Sequence, residues 1–325
     1  MKNATLRQLK IFETVARHLS FSRAAEELHL TQPAVSTQVK QLGMHAGVPL
    51  FEQFGKKISL TPAGVELLQF GRAIIQQFRE ADEAMARHKG VSGGKLNVAV
   101  ISAGDYFFPR VLAEFARRHV GVTLNLAVHN REEVLHQLAG NLTDLAIMVR
   151  PPTDTGTIWQ PFAPHPYVIV ARPDHPLARR RGIAMAEIMR EPFIVREKGS
   201  DTWNSMEDGF GRRLRNLNIA MEIRSTETIK QAVIAGLGIS FLSAHTISLE
   251  LKVGSLAILD VRGFPLMLNW YVVHREKKRL PPVAIAFKSF LMREGAALIE
   301  DITGVRARHL ARVRQPRATA RAARS

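Results

Sequence analysis

A helix-sized stretch, TQPAVSTQVKQLGMHA at 31–46, carries the residues best suited to chemistry. Val35, Val39 and Leu42 recur at i, i+4 and i+7, so they define the buried face of a helix. At about 100° per residue, Pro33, Thr37, Lys40 and Gln41 lie opposite them, with Ser36 on the flank and Gln32 at the start. This polar face carries no acid. Its amides and hydroxyls can hydrogen-bond base edges and its ammonium can meet phosphate, which suits a helix lying in the major groove. Thr31 caps the helix, and Pro33 sits in the first turn, where a missing N–H costs nothing. The competing reading is a solvated surface helix in an ordinary helical hairpin.

The elements that would position this helix flank it. Before it, Phe21, Ala24, Ala25 and Leu28 mark a short helix capped by Ser20 or Ser22, and His29–Leu30 make the turn. Leu6, Leu9, Phe12, Val15 and Leu19 stripe a first helix, which completes a three-helix bundle. After it, PLFEQFGKKISLT reads as two strands around Gly55-Lys56-Lys57, a hairpin tip whose lysines can touch phosphate. Thr61-Pro62 then opens a long helix to His88. Val65, Leu68, Ile75 and Phe78 are spaced 3, 7 and 3 apart along it, a heptad-like seam that calls for a partner helix.

AAEELHLTQPAVSTQVKQL and PLFEQFGKKISLTPAG resemble the winged helix-turn-helix of the LysR-type transcriptional regulators, almost residue for residue. The resemblance assigns Gln32, Pro33, Ser36, Thr37, Lys40, Gln41, Lys56 and Lys57 to DNA contact. It also makes 62–88 a linker helix that dimerises through Val65, Leu68, Ile75 and Phe78. One position departs from the family. Gly43 stands where an acidic residue is usual, and a glycine costs a helix about 1 kcal/mol against alanine, so the end of the reading helix is expected to fray.

Composition narrows the classes further. With 325 residues there is room for two or three cored domains, and without cysteine there are no disulfides, thiolate chemistry or Cys-based metal sites. No apolar h-region opens the chain, and the longest apolar run, 232–244, is too short to span a membrane, so a cytoplasmic protein is expected. Seven of the sixteen net positive charges lie in the acid-free segment 303–325, which reads as a disordered Arg-rich tail adding non-specific DNA affinity. Residues 1–60 carry eight Lys/Arg against four Glu. Attraction to phosphate is thus shared between reading helix, wing and tail.

From Leu96 onward strand and helix alternate, after the glycine-rich hinge 89–94. This is α/β writing. In such sheets ligands sit at the carboxyl ends of strands, beside helix N-termini. Those ends carry Ser102, Ala103, Asn130, Arg131 and Arg150 in the first series, and Arg196, Ser200, Thr202, Thr226 and Lys230 in the second. Hydroxyls, open helix N-termini and arginines together suit an anion, although any single Ser or Thr here also reads as a plain helix cap.

The family resemblance organises this half as a two-lobed, periplasmic-binding-protein-like effector domain. Its implied boundaries are 1–61 for the winged helix-turn-helix, 62–88 for the linker helix, 89–94 for the hinge, 95–163 with 268–302 for lobe I, and 164–267 for lobe II. HNREEVLHQLAGNLTDLAIMVRPP, HPYVIVARPDHPLA and STETIKQAVIAGLGISFLSAHTISLEL are similar to the CbbR-type regulators of RuBisCO and Calvin-cycle operons. That subgroup implies a phosphorylated Calvin-cycle metabolite or NADPH as effector, with no cofactor and no metal. It also implies an interrupted inverted repeat of double-stranded DNA as target, a homodimer or homotetramer, and RNA polymerase as partner. An enzyme on the same scaffold would need a nucleophile or a metal set, and no HExxH or P-loop is written here. GLGIS at 236–240 closes a helix rather than opening one. Two further alternatives are a LysR-type regulator of another pathway and an architectural DNA-binding protein that ignores metabolites.

Overall fold

The computed structural model describes residues 1, 3–54, 57–88, 93–152 and 156–306. Its contacts divide the chain into two units, one essentially Met1–Ser92 and the other mostly Gly93 onward.

In the first unit α1 (Leu6–His18), α2 (Phe21–Leu28) and α3 (Gln32–Ala46) precede a hairpin of β1 (Phe51–Phe54) and β2 (Lys57–Leu60) and the long α4 (Pro62–His88). Each start is written in hydroxyl caps: Thr5 accepts from Gln8, Ser20 from Arg23, Thr31 from Ala34 and Thr61 from Gly64. Ile11, Val15, Ala24, Ala25, Val35 and Val39 form one apolar cluster of the bundle. Leu9, Phe12, Leu42 and Leu50 form a second. The reading helix runs through Gly43. It continues to Ala46, where Gly47 adopts φ 76° and returns its N–H to the carbonyls of Gly43 and Met44.

The seam on α4 is corrected by the packing. Leu68 and Ile75, with Leu67, lie against Leu9, Phe12, Leu42 and Leu50 of their own unit. Among the described side chains of α4 the exposed large apolar ones are Val65, Phe70, Ile74 and Phe78. At about 100° per residue Val65 and Phe78 lie roughly 140° apart, so the four heptad-spaced positions never shared one face. Phe70, Ile74 and Phe78 do, at i, i+4 and i+8. Gly55, Lys56 and residues 89–92 of the expected hinge lie outside the described residues. Of the hinge, Gly93 is described: its φ is +150°, and a Cβ there would come within 2.6 Å of the Gly121 carbonyl oxygen.

The second unit begins with β3 (Gly94–Ile101), α5 (Phe108–Arg118), β4 (Val122–His129), α6 (Arg131–Ala139) and β5 (Leu145–Met148). A 15-residue strand, β6 (Thr157–Ala171), leads to α7 (Met185–Ile188), β7 (Phe193–Arg196), α8 (Asp201–Phe210), β8 (Ile219–Ile223), α9 (Thr226–Ile234), β9 (Ile239–Ser243), α10 (Ser248–Val253) and β10 (Ala257–Ile258). The chain returns through β11 (Leu266–Arg275) and α11 (Pro282–Thr303). The described strands run β4-β3-β5-β11-β6-β9-β7-β8, with β10 on β6. Strands β3, β4 and β5 are parallel, as are β7, β8 and β9, whereas β6 and β11 run antiparallel between the two sets.

Thus β6 does not break at the 163/164 lobe boundary read from sequence. It pairs with β11 from Thr157 to Tyr167 and with β9 from Tyr167 to Val170. Three prolines (161, 164 and 166) hide it from a strand search. Along them β6 is laddered to β11 alone, so a missing N–H on the other edge loses no bond. The tail boundary also moves. Thr303 is the last helical residue and Val305 is buried against lobe II, while 307–325 lie outside the described residues.

A buried polar knot ties the return segment to lobe I. Asp144 accepts from the Asn97 N–H at 2.9 Å and from Asn97 Nδ2 at 3.0 Å, and it pairs with Lys278 Nζ at 2.9 Å. Lys278 also donates to the Thr143 carbonyl at 2.7 Å. Removing one member strands a buried charge. Asp144→Ala should therefore cost about 3–5 kcal/mol, read as a lower midpoint in chemical denaturation of this unit.

Candidate functional site

On α3 the buried side is Val35, Val39 and Leu42, while Gln32, Pro33, Thr37 and Lys40 are exposed and Ser36 is half-buried. Gln41 departs from this surface. Its Oε1 accepts from Gln8 Nε2 at 3.2 Å, and Gln8 is itself fixed in the Thr5 capping box. Gln41 thereby positions α3 against α1, and five of the six residues assigned on this helix remain to face a ligand. The wing strands pair Phe51 with Leu60 and Phe54 with Lys57. Of the two wing lysines, Lys56 and the Lys57 side chain fall outside what is described.

In the second unit the strand ends converge. Ser102, Ala103, Asn130 and Arg131 from lobe I meet Arg196, Ser200 and Thr202 from lobe II around one narrow cavity, with Ile101 and Asp201 completing its wall. The cavity gives roughly 10 Å³ to water centres, about one water, so a larger ligand requires the lobes to part. Local sequence sets each group in place. Asn130 Oδ1 caps α6 through the Glu133 N–H, and Ser200 caps α8 through Trp203. Arg196 ends β7, almost fully buried. Its Nε and Nη2 engage Glu197 at 2.8 and 3.0 Å, and Nη1 donates to Thr226 Oγ1 at 2.8 Å.

Three assigned residues lie off the cavity. Thr226 holds Arg196 from behind. Arg150 pairs with Asp208, and its carbonyl accepts from Arg131 Nη2 at 3.3 Å. Lys230 is corrected outright. It is buried between Glu250 and Glu227, each 2.7 Å away, and sits 4.5 Å over the Tyr106 ring. Tyr106 also donates to Glu227 at 3.4 Å, so this ion-pair cluster fastens lobe I to lobe II. Its position on a helix that opens after a strand end placed it in the cleft from sequence, and only the fold brings Glu250 to it.

Sequence reasoning missed Asp201, the first residue of α8. It is buried, its Oδ1 stands 3.4 Å from Arg131 Nε, and neither oxygen has a well-formed hydrogen bond. Burial pushes its carboxyl up to about 6 against the opposing pull of Arg131, Arg150, the nearby Val149 backbone N–H and Arg196. The arrangement is a set of arginines with an ill-satisfied internal carboxylate among them. Chemically, an incoming anion can replace that carboxylate as the partner of Arg131. The available signal was an acid directly after an N-cap serine, which reads as an ordinary dipole partner.

Among the described residues no helix is long and apolar enough to cross a membrane. Residues 6–65 match the model of the bacterial regulatory helix-turn-helix protein, lysR family, and residues 89–296 match the LysR substrate binding domain. The RuBisCO operon transcriptional regulator of Allochromatium vinosum is 47% identical over 296 residues, covering 91% of this chain and 98% of that protein. The HTH-type transcriptional regulator CbbR of Rhodospirillum rubrum is 49% identical over 286 residues, covering 88% and 95%. Among solved structures, the CcmR regulatory domain of Synechocystis PCC6803 in complex with 2-PG is 39% identical with a TM-score of 0.59, covering 62% of this chain and 96% of that one. Full-length CbnR complexed with its target DNA shares the fold at a TM-score of 0.65 and 21% identity, covering 89% and 99%. A capped reading helix with an acid-free face and an arginine-lined cavity between two lobes thus sit in one chain with these relatives: the protein belongs to the LysR family of transcriptional regulators.

Proposed function

We propose that this regulator controls carbon-fixation genes of the RuBisCO type and responds to a small phosphate-bearing acid bound between its lobes. The observation that carries the reading is the cavity formed by Arg131, Arg196, Ser200 and Thr202, set beside a 39% identical sensing domain in complex with 2-PG. The names of the relatives support the operon class. Because the lobes must part for any ligand larger than water, a compact acid requires less opening than NADPH. Ligand must bind the closed and open lobes with different affinity to shift them, and groups from both lobes supply that difference.

On DNA, Gln32, Pro33, Ser36 and Thr37 face base edges while Lys40 and the wing lysines meet phosphate. The chain acts in the cytoplasm as a dimer, or a pair of dimers, on an interrupted inverted repeat, with RNA polymerase downstream. Thr37→Ala should cost about 1–3 kcal/mol on the operator upstream of a RuBisCO operon and little on random DNA. Lys40→Gln should weaken both alike and reduce the salt slope by about one. Band shifts over a salt series, with and without 2-PG, decide the matter. Equal losses on both DNAs for Thr37→Ala would remove the base-reading role, and a footprint indifferent to 2-PG and to other phosphorylated acids would remove the effector class.

A further inference from the structure

A second cavity lies on lobe I, away from the arginine pocket, between β6, β11 and α11. It measures about 640 Å³. Its polar wall is cationic: His274, Lys278, Lys288 and Arg293, with Ser289 and Gln160 beside them and no carboxylate in the lining. Lys278 already has Asp144 as its counterion. Lys288 has no acid: its Nζ donates to His274 Nε2 at 3.1 Å. His274 Nδ1 in turn donates to the Arg275 carbonyl at 3.1 Å, so a single neutral tautomer satisfies both contacts. Arg293 has a weak partner at best, since Glu294 is 3.8 Å from it and closer to Arg118, at 2.7 Å. The remaining wall is apolar, from Leu280, Ile285 and Met292.

A half-buried ammonium whose nearest partner is a buried neutral imidazole is an unusual use of charge. Structural lysines in this fold are matched by acids, as Lys230 is by Glu250 and Lys278 by Asp144. Burial holds Lys288 below the usual lysine range, and burial together with Lys288 and Lys278 does the same to His274. An anion in the cavity would relieve both groups and gain charge-assisted hydrogen bonds. The apolar wall asks for more than a bare ion.

We propose that this cavity is a second ligand site, taking a small anion whose phosphate or carboxylate head meets Lys288 and Ser289 and whose apolar body lies on Ile285 and Met292. It shares no lining residue with the pocket between the lobes.

Phenyl phosphate is a suitable probe, titrated calorimetrically into the full-length protein with inorganic phosphate as the headgroup-only comparison. Phenyl phosphate should bind at least about tenfold more tightly than inorganic phosphate, since its ring removes apolar surface from water. Lys288→Gln should weaken it by about tenfold or more, the scale of one charge-assisted hydrogen bond. Ser289→Asp, on the exposed side of α11, should abolish binding by adding a negative charge to the wall. Arg131→Met silences the pocket between the lobes, and in that background phenyl phosphate binding should persist and still depend on Lys288. Absence of phenyl phosphate binding, or wild-type isotherms for both Lys288→Gln and Ser289→Asp, would overturn the site. Loss of the isotherm in Arg131→Met would assign it to the pocket between the lobes, and equal affinity for the two probes would remove the apolar contact.

Discussion

Replacing Ile74 or Phe78 by glutamate should lower operator affinity by roughly 100- to 10,000-fold while leaving the first unit folded. Both side chains are about half exposed, at 47% and 52%, so the new charge meets solvent rather than a core. With Phe70 they form one exposed apolar stripe along α4, three phenylalanine- or isoleucine-sized groups that a solvated helix has no reason to carry. Pairing of two such stripes would put two reading helices on one piece of DNA. The second half-site is then bound intramolecularly, and the expected loss is the avidity that this link confers. Light scattering and band shifts on an inverted repeat measure it. Leu68→Glu is the contrasting variant: it drives a charge into the Leu9–Phe12–Leu42 cluster, so the helical signal of the first unit should be lost together with DNA binding. A variant at Ile74 that is monomeric yet binds the repeat with wild-type affinity would contradict the stripe's role.

The second large effect concerns the pocket between the lobes. Arg131→Met should weaken an anionic effector such as 2-PG by about 10- to 150-fold, because a charge-assisted hydrogen bond of roughly 1.5–3 kcal/mol is lost. Asp201→Asn should act in the opposite direction. In the wild type a bound anion and ionised Asp201 compete for Arg131, so binding favours the protonated carboxyl. Effector affinity should therefore rise as pH falls through about 6, the value to which burial raises Asp201. Asparagine carries no charge at any pH. The variant should bind about tenfold more tightly at pH 7.5 and lose that pH dependence.

Folding stability follows the same group. Its folded value lies above the ordinary carboxylate value, so the native state holds the proton longer than the unfolded chain. Stability linked to Asp201 is present below about pH 4 and is lost as pH rises toward 6, and Asp201→Asn should recover it at neutral pH. Calorimetry at pH 5, 6 and 7.5 separates these effects. A wild-type affinity flat across that range would show that Asp201 does not compete with ligand.

Which elements form, and where they start, was decided locally. Thr5, Ser20, Thr31 and Thr61 each cap the helix that follows, and the 3.6-residue apolar rhythm of α3 told its buried face from its open one. The convergence of the strand ends was also legible, since seven of the ten residues singled out there do line one cavity. Partners at long range were not. Gln41 is taken up by Gln8, thirty-three residues away, and Lys230 by Glu250, twenty away. Leu68 and Ile75 have heptad spacing, yet the bundle beside them claims their face first. Asp201 looks like a surface cap until two lobes close over it and raise its affinity for a proton. Periodicity and capping are properties of a few consecutive residues, so the chain states them directly. Burial and counterions depend on which distant segments arrive at the same place, and only the tertiary structure decides that.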